Sequence, residues 1–263
     1  MRLGALSSLC GILLIAAIGC GGESTGTLGS TGARGAAEGA EATDEEATAS
    51  GEDELVPQQG EQLAAAPPAV SPCSAAGLVL CFTFEGTTTD QVASLIPNES
   101  ANVTYVPGRE GQAAAFAPNT AVRFAPNALF DLPPASATIE AWVKRAPSAS
   151  DAVVFDDDAR FSLTIDAGGH VWCKSSGGVA LGATVLPIDQ WVHVACVIDG
   201  TSMRAYAGGV VDAVGTGGVV ASPASTAAIG GNAPSGEPFV GLIDSLRVFG
   251  VARAPEEIAA AAK

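Results

Sequence analysis

The sequence predicts an all-β domain, a sandwich or a barrel, preceded by a front segment with no core of its own. Three observations carry this expectation. All 14 aromatic residues lie at or beyond Phe82. From Leu78 onward apolar residues recur with a period of two, as in half-buried strands. Turn signals return about every eight to twelve residues, with no strand–helix–strand rhythm and no internal repeat.

Residues 1–19 read as a secretory signal. One positive charge, Arg2, precedes an apolar stretch from Leu9 to Ile18, and small residues follow. The stretch falls short of the roughly 20 apolar residues that span a bilayer. Ala17-Ile18-Gly19-Cys20 resembles a bacterial lipobox, with Ala where Leu is usual, and this implies lipid attachment at Cys20. An ordinary cleaved signal with an incidental cysteine is the competing reading. Gly21 behind the cysteine resembles the sorting position of enterobacterial lipoproteins bound for the outer membrane, so the expected location is the bacterial cell envelope.

Residues 20–72 read as a disordered tether. They hold ten acidic residues against one basic, Arg34, a net charge of −9 within the chain's −16. The remainder is mostly Gly, Ala, Ser, Thr and Pro, which bury too little apolar surface to offset ordering entropy. Stretched, such a segment reaches ~175 Å at about 3.3 Å per residue; as a coil it spans ~40 Å. The acidic balance and scattered cations exclude a nucleic-acid partner and leave the membrane to the lipid anchor alone.

Residues 73–263 carry the strands. Leu80, Phe82 and Phe84 alternate in the first, and Val103 and Tyr105 in the next. Phe161-Ser-Leu-Thr-Ile165 alternates strictly, and the turn Asp166-Ala-Gly-Gly-His170 leads into Val171-Trp-Cys-Lys-Ser175. Trp191-Val-His-Val-Ala-Cys-Val-Ile198 is apolar on both faces, as a central strand should be. Asp199-Gly200 and Gly208-Gly209 are hairpin turns around Met203–Ala207 and Val210–Val214. One helix is expected, from Pro255, with Pro at its first position and acids near its positive end.

A series of motifs then appears in order: Leu78-Val-Leu-Cys-Phe-Thr-Phe-Glu-Gly86, Pro107-Gly-Arg-Glu-Gly-Gln-Ala-Ala-Ala-Phe116, Ala137-Thr-Ile-Glu-Ala-Trp-Val143, Trp191-Val-His-Val-Ala195 and Phe239-Val-Gly-Leu-Ile-Asp-Ser-Leu-Arg-Val-Phe249. This series resembles the laminin-G-like, concanavalin A-like jelly roll over Leu78 to Ala262. The resemblance implies two antiparallel sheets packed face to face, with binding loops at one end and on a concave face.

Setting aside Cys10 and Cys20 leaves four cysteines and three connectivities. Cys173 shares a face with Val171, and Cys196 with Val192, Val194 and Ile198; both faces look inward, which pairs Cys173 with Cys196. Cys81 points away from Leu80 and Phe82, where the segment carrying Cys73 folds back, which pairs Cys73 with Cys81. A metal is the rival use of these thiols, without any C-x-x-C spacing to support it.

By the same resemblance a structural calcium ion is expected, with Glu85 and Asp244 as oxygen ligands and Asp90 as a third. The alternative for Glu85 and Asp244 is hydrogen bonding that ties strand ends together. Asp156-Asp157-Asp158 is read as a hairpin turn, solvated or cation-binding. No catalytic motif emerges. Glu140-Ala-Trp-Val-Lys-Arg lacks the second acid of the one-strand E-x-D-x-x-E arrangement, no G-x-S-x-G occurs, and His193 lies in an apolar strand as a hydrogen-bonded core residue. Trp142 is read as core. Trp172, out of phase with Val171 and Cys173, is the candidate ligand contact. The expected protein is therefore a non-enzymatic, surface-anchored binding module for a glycan or protein. A carbohydrate-active enzyme with loop carboxylates, or a structural envelope component, is the alternative.

Overall fold

The alternation becomes two antiparallel sheets in the structure, a computed structural model that describes residues 72–263 apart from 134, 159, 219–224 and 233–234. The signal, almost all of the tether and Cys20 lie outside the described residues. Fifteen strands are described. They are β1 (Leu78–Phe82), β2 (Glu99–Ala101), β3 (Thr104–Pro107), β4 (Gln112–Phe116), β5 (Ala121–Phe124), β6 (Ser136–Arg145), β7 (Ala152–Asp157) and β8 (Phe161–Ile165). There follow β9 (Val171–Ser175), β10 (Gly178–Leu181), β11 (Val192–Asp199), β12 (Ser202–Ala207), β13 (Val210–Thr216), β14 (Ala227–Ile229) and β15 (Gly241–Phe249). The helix α1 (Pro255–Ala261) closes the chain.

One sheet has eight strands in the order β13-β12-β11-β6-β15-β4-β3, with β1 also pairing β15. The other has seven in the order β10-β9-β8-β7-β14-β5-β2. First and last strands are thus neighbours, and the doubly apolar β11 lies inside its sheet between β12 and β6. Inward-facing residues of both sheets form one core, which includes Leu80, Val122, Ile139, Leu163, Val194 and Ile243. Phe82, Phe124 and Phe130 run through it with centroid separations of 5.6 and 5.8 Å, a spacing at which tilted rings attract.

Both disulfides join the pairs that strand phase selects. Cys173 in β9 is bonded to Cys196 in β11, so this bridge crosses between the sheets. Cys73 is bonded to Cys81 in β1.

Three local expectations change. β1 ends at Phe82, because Phe84 takes φ +58°, yet its ring still reaches the core. Asp156, Asp157 and Asp158 do not share a turn: the first two belong to β7 and are buried, and Asp158 alone turns, at φ +36°. Asp157 Oδ1 accepts from Arg160 Nη2 at 2.8 Å and from Ser225 Oγ at 2.5 Å, a buried pairing that removes it from solvent. β2, β5, β7, β10 and β14 were not predicted, being short or buried along their length. β7 has all six residues buried and so shows no alternation.

Candidate functional site

The hairpin between β3 and β4 shows what the predicted calcium ligands do. Asp244 Oδ2 accepts from the backbone N–H groups of Arg109 at 2.8 Å and Glu110 at 3.0 Å. Glu85 accepts from Gln112 N at 3.0 Å. Two carboxylates therefore clamp one tight turn. Its glycines are required by that approach: a Cβ at Gly108 would stand 2.6 Å from Asp244 Oδ2, and one at Gly111 would stand 2.1 Å from Glu85 Oε1. Asp90 is engaged elsewhere, taking the N–H groups of Cys81 at 2.6 Å and Ala93 at 2.5 Å. Oxygens spent on amides do not fit a calcium cage, and among the described residues no group of three or more His, Cys, Asp or Glu converges on a point. Burial pushes the Asp244 carboxyl up from its ordinary value, against the pull of the Glu110 and Arg109 amides.

The outer face of the eight-stranded sheet is covered. Ile258 of α1 packs on Ala195, Val197 and Tyr206. Beside this contact Glu140 is wholly buried, and its Oε1 receives Arg253 Nη1 at 2.6 Å and Arg247 Nη2 at 2.9 Å. Burial raises the Glu140 pKa, and the two guanidiniums work against that rise. His193 Nε2 lies 3.9 Å from Glu140 Oε2, too far for a hydrogen bond. Burial, then the charges of Arg247 and Arg253, depress the His193 pKa to about 3, so its ring is neutral and the pair is not ionic. His193 is buried as predicted, but neither ring nitrogen has a hydrogen-bond partner among the described residues. Trp142 is also buried. It lies on this outer face, against His193 at 5.5 Å and under the Arg109 guanidinium at 4.7 Å, and is not part of the core between the sheets.

The outer face of the seven-stranded sheet differs. Registered neighbours place Glu99, Arg123, Ala228, Asp156, Ser162 and Lys174 in one row across six strands. The adjacent row carries Thr164, Trp172 and Leu181. Trp172 does stand on the outer side, as its phase requires. It is half-buried, with the Lys174 ammonium 3.8 Å from the ring centroid, and its indole N–H is buried with no partner among the described residues. Lys174 also approaches Asp151 at 3.5 Å and Glu237 at 4.0 Å. Sequence phase finds Trp172 but not Lys174, whose cation lies over the ring and would have to swing aside for a flat ligand to stack there. His170 is half-buried, with its Nδ1 3.0 Å from Asp166 Oδ1.

Two antiparallel sheets, a core between their inner faces and a helix on one outer face define a concanavalin A-like jelly roll. The chain belongs to the concanavalin A-like lectin/glucanases superfamily, whose laminin-G sequence model matches residues 116–259. Among solved structures, the chain is similar to domain 4 of AbnA, a GH43 extracellular arabinanase from Geobacillus stearothermophilus, in complex with arabinotriose. Identity is 23% and the TM-score 0.60, over 71% of this chain and 98% of that one. It is also similar to the binding domain of botulinum neurotoxin DC in complex with SialylT, at 11% identity and TM-score 0.54, over 71% of this chain and 51% of that one. The binding domain of botulinum neurotoxin serotype G matches at 12% identity and TM-score 0.51, over 70% and 50%. The chain thus spans nearly all of the arabinanase domain and about half of the neurotoxin domains. No curated protein sequence matches it.

Proposed function

We propose that this protein is a recognition module that receives a glycan or a protein surface on the outer face of its seven-stranded sheet, around Trp172 and Lys174. One observation carries the reading: that face sets the half-buried Trp172 ring beside Lys174 and a transverse polar row, while Ile258 of α1 packs on the other sheet. Aromatic rings with adjacent hydrogen-bonding groups are what a sugar ring or a peptide edge needs. The similar arabinanase domain in complex with arabinotriose and the neurotoxin binding domain in complex with SialylT support a saccharide ligand. Capture from glycan and envelope-protein arrays, lost in Trp172→Ala with the fold intact, is the expected result. Undiminished capture by that variant moves the site elsewhere.

In this reading the module is held at the bacterial cell envelope by lipid on Cys20, with residues 20–72 as tether, and the outer membrane is its location. Intact-mass analysis of the mature N-terminus tests the anchor; a cleaved, unlipidated Cys20 removes it. Calcium at Glu85, Asp244 and Asp90 is a separate proposal, in which the ion would have to draw these carboxylates from the amides they now hold. A rise in melting temperature when calcium is returned to chelator-treated protein supports it, and an unchanged melt removes it.

A further inference from the structure

A pocket of about 220 Å³ lies where the outer face of the eight-stranded sheet meets the end of α1, lined by Glu110, Trp142, Ser245, Arg247, Ala260 and Lys263 among others. It is separate from the Trp172 face, being on the opposite sheet. We propose that this pocket is a second binding site, for a small organic carboxylate, with Arg247 as the receiving group.

Arg247 gives Nη2 to Glu140 Oε1 at 2.9 Å, while its Nε is buried with no partner among the described residues. A guanidinium offers N–H groups in a planar fork, and the acceptor that suits a vacant edge of that fork is a carboxylate. The neighbouring charges agree. Lys263 lines the pocket, and Arg109 stands over the Trp142 ring with its Nη2 donating to Lys263 O at 2.6 Å. Glu110 is the one carboxylate side chain among the lining residues. Ser245 adds a hydroxyl, held 3.3 Å from Asp244 Oδ1 by a backbone at φ +48°. That conformation interrupts the pairing of β15 with β6 between Asp244 and Arg247, so the ladder opens where Ser245 meets the pocket. The volume suits a ligand the size of one sugar acid.

The probe is sodium glucuronate, with glucose as its neutral match, titrated into the purified protein and followed by NMR at the arginine Nε–H and tryptophan indole resonances. The expected result is a saturating shift of the Arg247 Nε–H signal, identified by its loss in Arg247→Lys, with glucuronate and not with glucose. Calorimetry on Ser245→Gly, which suits a positive φ and loses only the hydroxyl, should show glucuronate binding weakened by about threefold; Arg247→Gln should weaken it by about tenfold or more. Arg247→Gln also releases Glu140, so the resonance measured on the unaltered protein decides the matter if that variant fails to fold. Equal shifts with glucose, no shift at Arg247, or shifts confined to Trp172 overturn the proposal. The last of these outcomes leaves the Trp172 reading standing, and loss of array capture in Trp172→Ala leaves this one untouched.

Discussion

On the outer face of the eight-stranded sheet, Glu140 is sealed beneath the chain's end with two arginines on one oxygen. On the outer face of the seven-stranded sheet, Arg123 meets Glu99 at 3.0 Å with the glutamate side chain 46% exposed. The same residue types do opposite work. A buried pair cannot lose one partner without stranding the other charge, whereas an exposed pair is worth about 0–1 kcal/mol and is screened by salt. Around Glu140 the first face is therefore committed to holding the molecule together. The other has side chains that can exchange partners with a ligand at little cost to the fold.

The largest expected effect breaks the committed face. Glu140→Ala leaves Arg247 and Arg253 uncompensated and should destabilise the domain by about 3–5 kcal/mol, lowering the melting temperature by ~10 °C or more; circular dichroism melts check this. Glu99→Ala on the opposite face should change stability by no more than about 0.5 kcal/mol, and a comparable loss there would erase the contrast.

Next comes the bridge that crosses between the sheets. Removing Cys173–Cys196, with its separation of 23 residues, should cost about 3 kcal/mol by loop-closure entropy, read from denaturation midpoints of the double alanine variant.

The pH dependence is smaller and belongs to the covered face. Between its ordinary value of 6.5 and about 3, the unfolded chain binds a proton at His193 that the folded chain refuses. Stability therefore rises with pH through that window, and going from pH 7 to pH 5 should cost about 2 kcal/mol. Glu140, Asp157 and Asp244, each raised by burial, act in the other direction, since the folded state holds their protons to higher pH. His193→Gln isolates the histidine: its urea midpoints should fall less than those of the unaltered protein between pH 7 and pH 5. A small stability change is also expected at Trp172→Ala, on the half-buried side, within about 1 kcal/mol in thermal melts, together with the loss of ligand capture.

The architecture was legible because strand phase is a local signal. Trp172, Cys173 and Cys196 each lie on the face that their position in an alternating run dictates. Where a strand is buried on both sides the signal vanishes, as in β7, and the run of Asp156, Asp157 and Asp158 was misread as a turn for that reason. The role of Asp244 turned on a contact across more than a hundred residues, with the amides of Arg109 and Glu110, and that of Glu85 on one across 27 residues, with the amide of Gln112. No sequence spacing announces such a contact. The meeting of Glu140 with Arg247 and Arg253 is equally long-range, although Glu140 and Arg247 each interrupt an apolar alternation in a way that marks an outward position; Arg253 lies between β15 and α1 and carries no such mark.

The bond between Cys73 and Cys81 has a mechanical consequence. β1 is antiparallel to β15, with Leu78 opposite Phe249 and Phe82 opposite Leu246. A pull on the chain ahead of Pro72 would otherwise peel β1 one hydrogen bond at a time from Leu78. With the disulfide in place, tension passes from Cys73 straight to Cys81 near the far end of the strand, and the intervening segment stays slack. The load then enters β1 beside Phe82 and bypasses the pairing at Leu78, so the strand cannot be peeled from its N-terminal end while the bond is intact.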